Sequence, residues 1–166
     1  MKQLLKAIDR INDAFAYLAA FILAAIVLLI LFEIFLWNAF EVSTIIADEY
    51  SAYGLAALVF LGAGYTLRKD GHIRITLIVN HVPPGFSSFL KKLAPTVSTI
   101  FMAYLLYYLY RMIAATFRYE TTSGTLTETP IWIPQAIMFV GAVAFFLQLV
   151  AVTIRAYMDE NEGTAG

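Results

Sequence analysis

Hydrophobic residues in this chain fall into four long runs that short polar stretches separate. A helix needs roughly 20 apolar residues to cross about 30 Å of hydrocarbon, because each residue adds about 1.5 Å of length. The four runs meet this requirement. They predict an all-α integral membrane protein with four transmembrane helices in a single membrane domain over residues 1–166. The expected spans are residues 14–37, 48–67, 93–117 and 131–155.

The amino-acid composition agrees with a membrane protein and excludes several kinds of binding site and partner. Of the 166 residues, 61% are hydrophobic and 14% are charged, whereas about a quarter of a soluble domain is charged. The net charge of -1 gives no reason to expect a nucleic-acid partner. Cysteine is absent, which excludes disulfides and thiolate metal sites. Because no phosphate-binding loop or catalytic set is present either, we expect no cofactor and no enzymatic activity.

The distribution of basic residues predicts the orientation in the membrane. Three Lys or Arg residues precede the first span, five separate the second and third, and one follows the fourth; the other two connections hold none and two. Basic residues favour the cytoplasm, so both termini are expected there, with the first span retained as a signal anchor.

Between the second and third spans, residues 71–92 form a segment that is too apolar for a solvated loop and too charged for a span. This pattern is typical of an amphipathic segment that lies in the membrane plane. Lys91 and Lys92 would then reach lipid headgroups, so membrane lipid is an expected partner. His72 and Arg74 are expected either to anchor the segment at the headgroups or to contact a partner protein.

Five ionisable residues at the ends of the first three spans are further candidates for functional contacts. Glu33 is the one acidic residue inside the first apolar run, and it is read either as an interfacial or intersubunit contact or as a proton-coupling carboxylate. Asp48 and Glu49 open the second span on the same side as the end of the third, where Arg111 and Arg118 lie. One hypothesis pairs Arg111 with one of the three acids; the other leaves all of them as hydrated headgroup charges.

Small residues recur at helical spacing in three of the spans, where they would let helices approach closely. The chain's own packing explains them at least as well as contact with another subunit. They are Ala16, Ala20 and Ala24 in the first span, Gly54, Ala57 and Gly62 in the second, and Gly141 and Ala144 in the fourth.

One stretch resembles a known family. Residues 48–84 contain the acid pair Asp48-Glu49, the small-residue sequence FLGA at 60–63 and the motif GHIRITL at 71–77, in which Thr76 stands where many members have Asp. This order is similar to the small, DctQ-type permease subunit of tripartite ATP-independent periplasmic (TRAP) transporters. The entry to the last span adds a weaker match at Ser123, Leu126, Pro130 and Trp132.

The resemblance implies a static scaffold in the bacterial cytoplasmic membrane. A large, DctM-type permease subunit would carry the substrate and sodium sites, and a periplasmic solute-binding protein would deliver an organic acid. Trp132 joins the acids, His72, Arg74 and the two arginines as candidate contacts to these partners. The alternative is a self-sufficient homodimeric transporter with Glu33 as its coupling carboxylate; a membrane-bound enzyme is a third interpretation.

Overall fold

The computed structural model describes residues 2–69 and 84–163. It contains four long helices: α1 over Lys2–Phe40, α2 over Ile46–Arg68, α3 over Pro84–Arg118 and α4 over Trp132–Gly163. All four are long and apolar enough to cross a membrane, which confirms the predicted all-α, four-span membrane protein. His72, Arg74 and most of the proposed in-plane segment lie outside the described residues, while residues 84–92 form the first turns of α3.

The four helices do not form a symmetric bundle. In the described part of the chain, α1 packs against α2 and α4, and α2 packs against α4, whereas α3 contacts α4 alone. The helix α4 therefore belongs both to a three-helix unit with α1 and α2 and to a pair with α3. The buried side chains Leu67, Met102, Ala142 and Leu149 join α2, α3 and α4 into one hydrophobic cluster.

Two glycines lie in tight helix contacts within the three-helix unit. A Cβ atom on Gly141 of α4 would lie 2.7 Å from the carbonyl carbon of Phe60 and 2.8 Å from the amide nitrogen of Leu61. A Cβ on Gly54 would lie 2.8 Å from the side chain of Ile26. The backbone of α2 leaves no room for a Cβ on Gly141, whereas a Cβ on Gly54 would displace the end of the Ile26 side chain. The chain's own packing therefore accounts for both glycines, and more strictly for Gly141. By contrast, Ala20 and Ala24 are exposed on α1.

Large apolar side chains cover the outside of the helices. Phe21 and Leu28 on α1 are 70% and 66% exposed, and Ile100 on α3 is 66% exposed. Such surfaces are unfavourable in water and favourable in lipid, because the hydrophobic effect removes apolar area from water. The exterior therefore fits a multi-pass membrane protein.

Local contacts explain where α1 begins and where α3 ends. Helix α1 begins well before its apolar run because Leu5 and Ile8 pack against Ala151 of α4. Helix α3 ends in a Schellman motif, in which the Thr121 amide donates to the Thr116 carbonyl at 3.1 Å and Glu120 takes a positive φ of 48°.

Candidate functional site

Polar side chains concentrate at the two ends of the helices. The terminal end is the one where α1 begins and α2 and α4 finish. The loop end carries the α1–α2 connector, residues 41–45, and the α3–α4 connection, residues 119–131, which we call the threonine loop. Four of the candidate residues, Glu33, Asp48, Glu49 and Trp132, and the end of α3 with Arg118 lie at the loop end.

Glu49 is the centre of a hydroxyl network at the loop end. Its side chain is in the first turn of α2 and only 9% exposed. The hydroxyls of Thr125 and Thr127 both donate to its Oε2 atom, and the Tyr53 hydroxyl donates to its Oε1 atom at 2.8 Å. Three neutral donors thus satisfy a nearly buried carboxylate, which compensates for its removal from water without a counter-ion.

The threonine loop is folded by its own hydrogen bonds as well as by Glu49. The Ser123 amide donates to the Thr129 carbonyl at 2.8 Å, and the Ile131 amide donates to the Thr121 carbonyl at 3.1 Å, around an isolated antiparallel bridge at Thr122 and Pro130. The Thr129 amide donates to the Ser123 hydroxyl at 3.0 Å. The loop therefore has a defined conformation that is attached to the start of α2.

Glu33 has the same role for the shorter connector. Its carboxylate accepts from the Ser43 hydroxyl at 2.5 Å, from the Thr44 amide at 3.0 Å and from the Thr44 hydroxyl. These bonds fold residues 41–45 back onto the last turns of α1, next to Ile45, which has a positive φ of 61°. In this structure Glu33 is a connector-binding residue at the loop end.

The predicted ion pair of Arg111 is not formed within the described part of the chain. Arg111 lies on α3, which touches neither α1 nor α2, and its guanidinium is 5.9 Å from the centre of the Tyr107 ring. Hydroxyl and amide donors already occupy the carboxylates of Glu33 and Glu49. Trp132 packs edge-on against Phe117, with ring centres 5.6 Å apart, and so joins α3 to α4.

At the terminal end, ion pairs tie helices to one another. The Arg68 guanidinium of α2 binds the Asp13 carboxylate of α1, with one bond at 3.0 Å, and donates to the Asp9 carbonyl at 3.1 Å. Arg155 of α4 binds the Asp9 carboxylate at 2.8 Å. The three-helix unit is therefore connected by two Arg–Asp pairs at this end.

A buried amide pair lies beside these ion pairs. Asn12 and Gln148 are both fully buried, and the Asn12 Nδ2 atom donates to the Gln148 Oε1 atom at 3.0 Å. Gln148 in turn donates to Asp9 at 3.2 Å. The Asn12 Oδ1 atom packs on Gly64, where a Cβ would lie only 1.8 Å away. Glycine at position 64 is thus a requirement of the Asn12 side-chain position.

The sequence analysis missed most of these partners, although signals for them exist. Asp9, Asn12 and Asp13 are spaced three and four residues apart, which places them on one face of a helix. Thr125, Thr127 and Thr129 alternate, a pattern that would place their hydroxyls on one side of an extended segment, although the structure brings them together around a turn. Both patterns show polar groups that share a face; neither says which residue on another helix they meet.

Within residues 2–69 and 84–163, the polar side chains at the two ends do not assemble into a metal-binding set. Among the described residues, no group of three or more His, Asp or Glu side chains could hold a metal ion. A groove of about 500 Å³ runs over α2 between α1 and Phe145 of α4, and its floor consists of small residues such as Ala20, Gly62 and Ala63. Thr66 is the one polar residue that lines it, and its hydroxyl is bonded to the Gly62 carbonyl. The groove is therefore an apolar surface.

Comparison with known proteins gives two matches. The sequence model of the family described as tripartite ATP-independent periplasmic transporters, DctQ component, matches residues 26–158. A Haemophilus influenzae protein, named as a candidate TRAP transporter small permease protein, is 33% identical over 81 residues. That match covers 49% of this chain and 50% of the relative, so it spans about half of each. No solved structure matches the chain.

Proposed function

Because the chain belongs to the DctQ family of TRAP transporter components, we propose that it is the small membrane subunit of a TRAP transporter and a static scaffold for a large permease subunit. In this proposal the large subunit moves the solute, and a periplasmic solute-binding protein delivers it. The solute is an organic acid, and a sodium gradient drives its uptake across the bacterial cytoplasmic membrane.

The observation that carries the scaffold role is the absence of ionisable groups from the middle of the chain's spans. Residues 14–32, 50–67, 93–110 and 132–154 contain no Asp, Glu, Lys, Arg or His. Secondary transporters bind solute and coupling ion near the bilayer midplane, where polar groups and broken helices provide the ligands. A chain without such groups is better suited to supporting a transporting subunit than to transporting by itself.

Two structural features also favour the proposed role as a static scaffold. The terminal end fastens α1, α2 and α4 together through Arg68, Arg155 and the Asn12–Gln148 pair, as described above. Most of the surface of α3 remains uncovered by the chain, because α3 contacts α4 alone in the described part. We place the loop end on the periplasmic side, in keeping with the excess of basic residues at the opposite side of the membrane.

The test is solute uptake into proteoliposomes under an inward sodium gradient. Three preparations are compared: this chain alone, the large subunit with the binding protein, and all three proteins together. We expect uptake only with all three. Uptake by this chain alone would make it a transporter in its own right, and Glu33 would then be the first residue to replace. Undiminished uptake without this chain would reject the scaffold role.

A further inference from the structure

The threonine loop presents one large apolar side chain to the outside. Leu126 is 82% exposed, more than any other large hydrophobic residue in the part of the chain that the structure describes. Most of the other exposed apolar residues lie on the helices, where lipid covers them. Leu126 instead lies midway along a loop whose neighbouring residues, from Thr121 to Pro130, are almost all threonine, serine, glycine or glutamate. Contact with lipid tails on a helix face therefore does not explain its position.

The conformation that exposes Leu126 is fixed by the protein. Thr125 and Thr127, on either side of Leu126, both donate to Glu49, and the Glu128 amide donates to the Thr125 carbonyl at 3.2 Å. Leu126 therefore lies at the corner of a turn whose neighbouring hydroxyls face Glu49, and its own side chain is left exposed. The loop also contains two glutamates with positive φ, Glu120 at 48° and Glu128 at 45°. Non-glycine residues adopt this backbone region at a cost, so surrounding contacts must hold them there.

Such preorganisation favours binding. A loop that is already ordered loses little conformational entropy when a partner contacts it, and an exposed apolar residue in a fixed position can fill a pocket on that partner. The charges at the same end add a second property. Four acidic residues at the loop end are exposed: Glu41, Asp48, Glu120 and Glu128. They outnumber the exposed Arg111 and Arg118 on the last turns of α3. A partner with basic residues around an apolar pocket would be complementary to this surface in both charge and polarity.

We propose that Leu126 and the threonine loop form a docking surface for a soluble protein whose facing side has an apolar pocket bordered by Lys or Arg. This inference rests on the proposed function, in which the solute-binding protein is that partner. Leu126 provides the apolar contact, Glu49 positions the loop, and the exposed acids accelerate association.

The test measures binding of the solute-binding protein to the complex of this chain with its large subunit in nanodiscs. Leu126→Ser should weaken the equilibrium affinity at least tenfold, mainly through faster dissociation. Leu126→Met should retain most of it. The matched control is Val42→Ser, which removes an apolar side chain that is 55% exposed in the other connector of the loop end. We expect this control to change the affinity less than twofold.

Glu120→Lys with Glu128→Lys should slow association, with the largest effect at low salt.

Glu49→Gln provides a second variant that leaves Leu126 in place. It should weaken binding by loosening the loop, and hydrogen exchange of the Ser123 and Thr129 amides should rise in parallel. An affinity that Leu126→Ser leaves unchanged would overturn the inference. So would loss of the large subunit from the purified Leu126→Ser complex, since Leu126 would then belong to the interface between membrane subunits. In both cases the proposed function stands if uptake still requires this chain, whereas a wild-type complex that binds no binding protein would reject both proposals.

Discussion

The two ends of this molecule place charged groups near the membrane surface in different ways. At the terminal end, Asp9 and Asp13 bind arginines on other helices, so each contact joins two helices. At the loop end, Glu33 and Glu49 bind serine, threonine and tyrosine hydroxyls, so most contacts join a helix to a connector. The comparison teaches that the first end fixes the helix packing and the second fixes the loops. Damage at the terminal end should therefore spread through the bundle, and damage at the loop end should stay local.

The largest effect is expected for Gly64→Ala at the terminal end. The new Cβ would lie 1.8 Å from the Asn12 Oδ1 atom, so the buried Asn12 side chain must shift, and we expect the shift to disrupt its hydrogen bond to Gln148. We expect a loss of about 2–3 kcal/mol in the free energy of unfolding, measured by steric trapping in nanodiscs. The control is Gly62→Ala, whose Cβ would meet its nearest neighbour at 3.9 Å. Equal losses for the two variants would contradict the role of Asn12.

A smaller and more local effect is expected for Glu49→Gln. The glutamine amide group donates where a carboxylate oxygen accepted, so at least one of the threonine hydroxyls loses its acceptor. We expect a cost of about 1.5–2 kcal/mol that appears as faster hydrogen exchange in the threonine loop, with the helix amides unchanged. Asp48→Asn, an exposed change one residue away, is the control. Faster exchange throughout α2 and α4 would show that Glu49 also fixes helix packing.

The coupling energy of the Asp9–Arg155 ion pair should depend on salt, and this dependence distinguishes the terminal end from the loop end. Because the two side chains are 22% and 35% exposed, a double-mutant cycle of Asp9→Asn and Arg155→Gln should give a coupling of about 0.5–1 kcal/mol. The coupling should shrink as salt rises from about 0.05 to about 0.5 M, because mobile ions screen exposed charges. A parallel cycle of Glu49→Gln and Thr127→Val involves a neutral donor and should be insensitive to salt. The same salt dependence in both cycles would remove the distinction between the two ends.

The smallest effect is expected for Ser43→Ala. The Thr44 amide and hydroxyl continue to bind Glu33, so the connector keeps most of its hydrogen bonds. We expect a global cost of about 0.5 kcal/mol or less and faster exchange limited to residues 41–45. The Thr44→Val variant removes a second hydroxyl donor and should show the larger change of the two. A global loss for Ser43→Ala comparable to that of Gly64→Ala would mean that the connector stabilises the bundle.

The fold class was predictable because every membrane-spanning segment must satisfy its backbone hydrogen bonds internally. An apolar run of sufficient length must be a helix, since lipid offers the backbone no hydrogen-bond partners. The ends of the helices were not predictable in the same way. Helix α1 extends back to Lys2 because Leu5 and Ile8 meet Ala151, a residue about 145 positions away that hydropathy along the chain does not connect to them.

The grouping of Glu33 and Glu49 at one end of the helices was predictable, but their contacts were not. Glu33 and Glu49 were identified as polar groups at the same membrane surface, and the structure places both at the loop end. Their expected partner was Arg111, because opposite charges attract. The packing of the helices gives a different result: α3 packs only against α4 among the described residues, Arg111 forms no ion pair there, and hydroxyls on the connectors bind both acids. Charge alone does not encode the order of helices in the plane of the membrane.

The single contact of α3 has a consequence for how the chain is made. Synthesis delivers α1 and α2 first, and these two helices can pair as soon as both have entered the membrane. Helix α3 emerges next and finds no partner among the helices already present, because its contacts in the described structure are all with α4. Helix α3 therefore remains surrounded by lipid until α4 enters the membrane. Insertion of α4 then completes both the three-helix unit and the α3–α4 pair. A nascent chain that stops before α4 therefore holds a preformed helix pair and a solitary third helix.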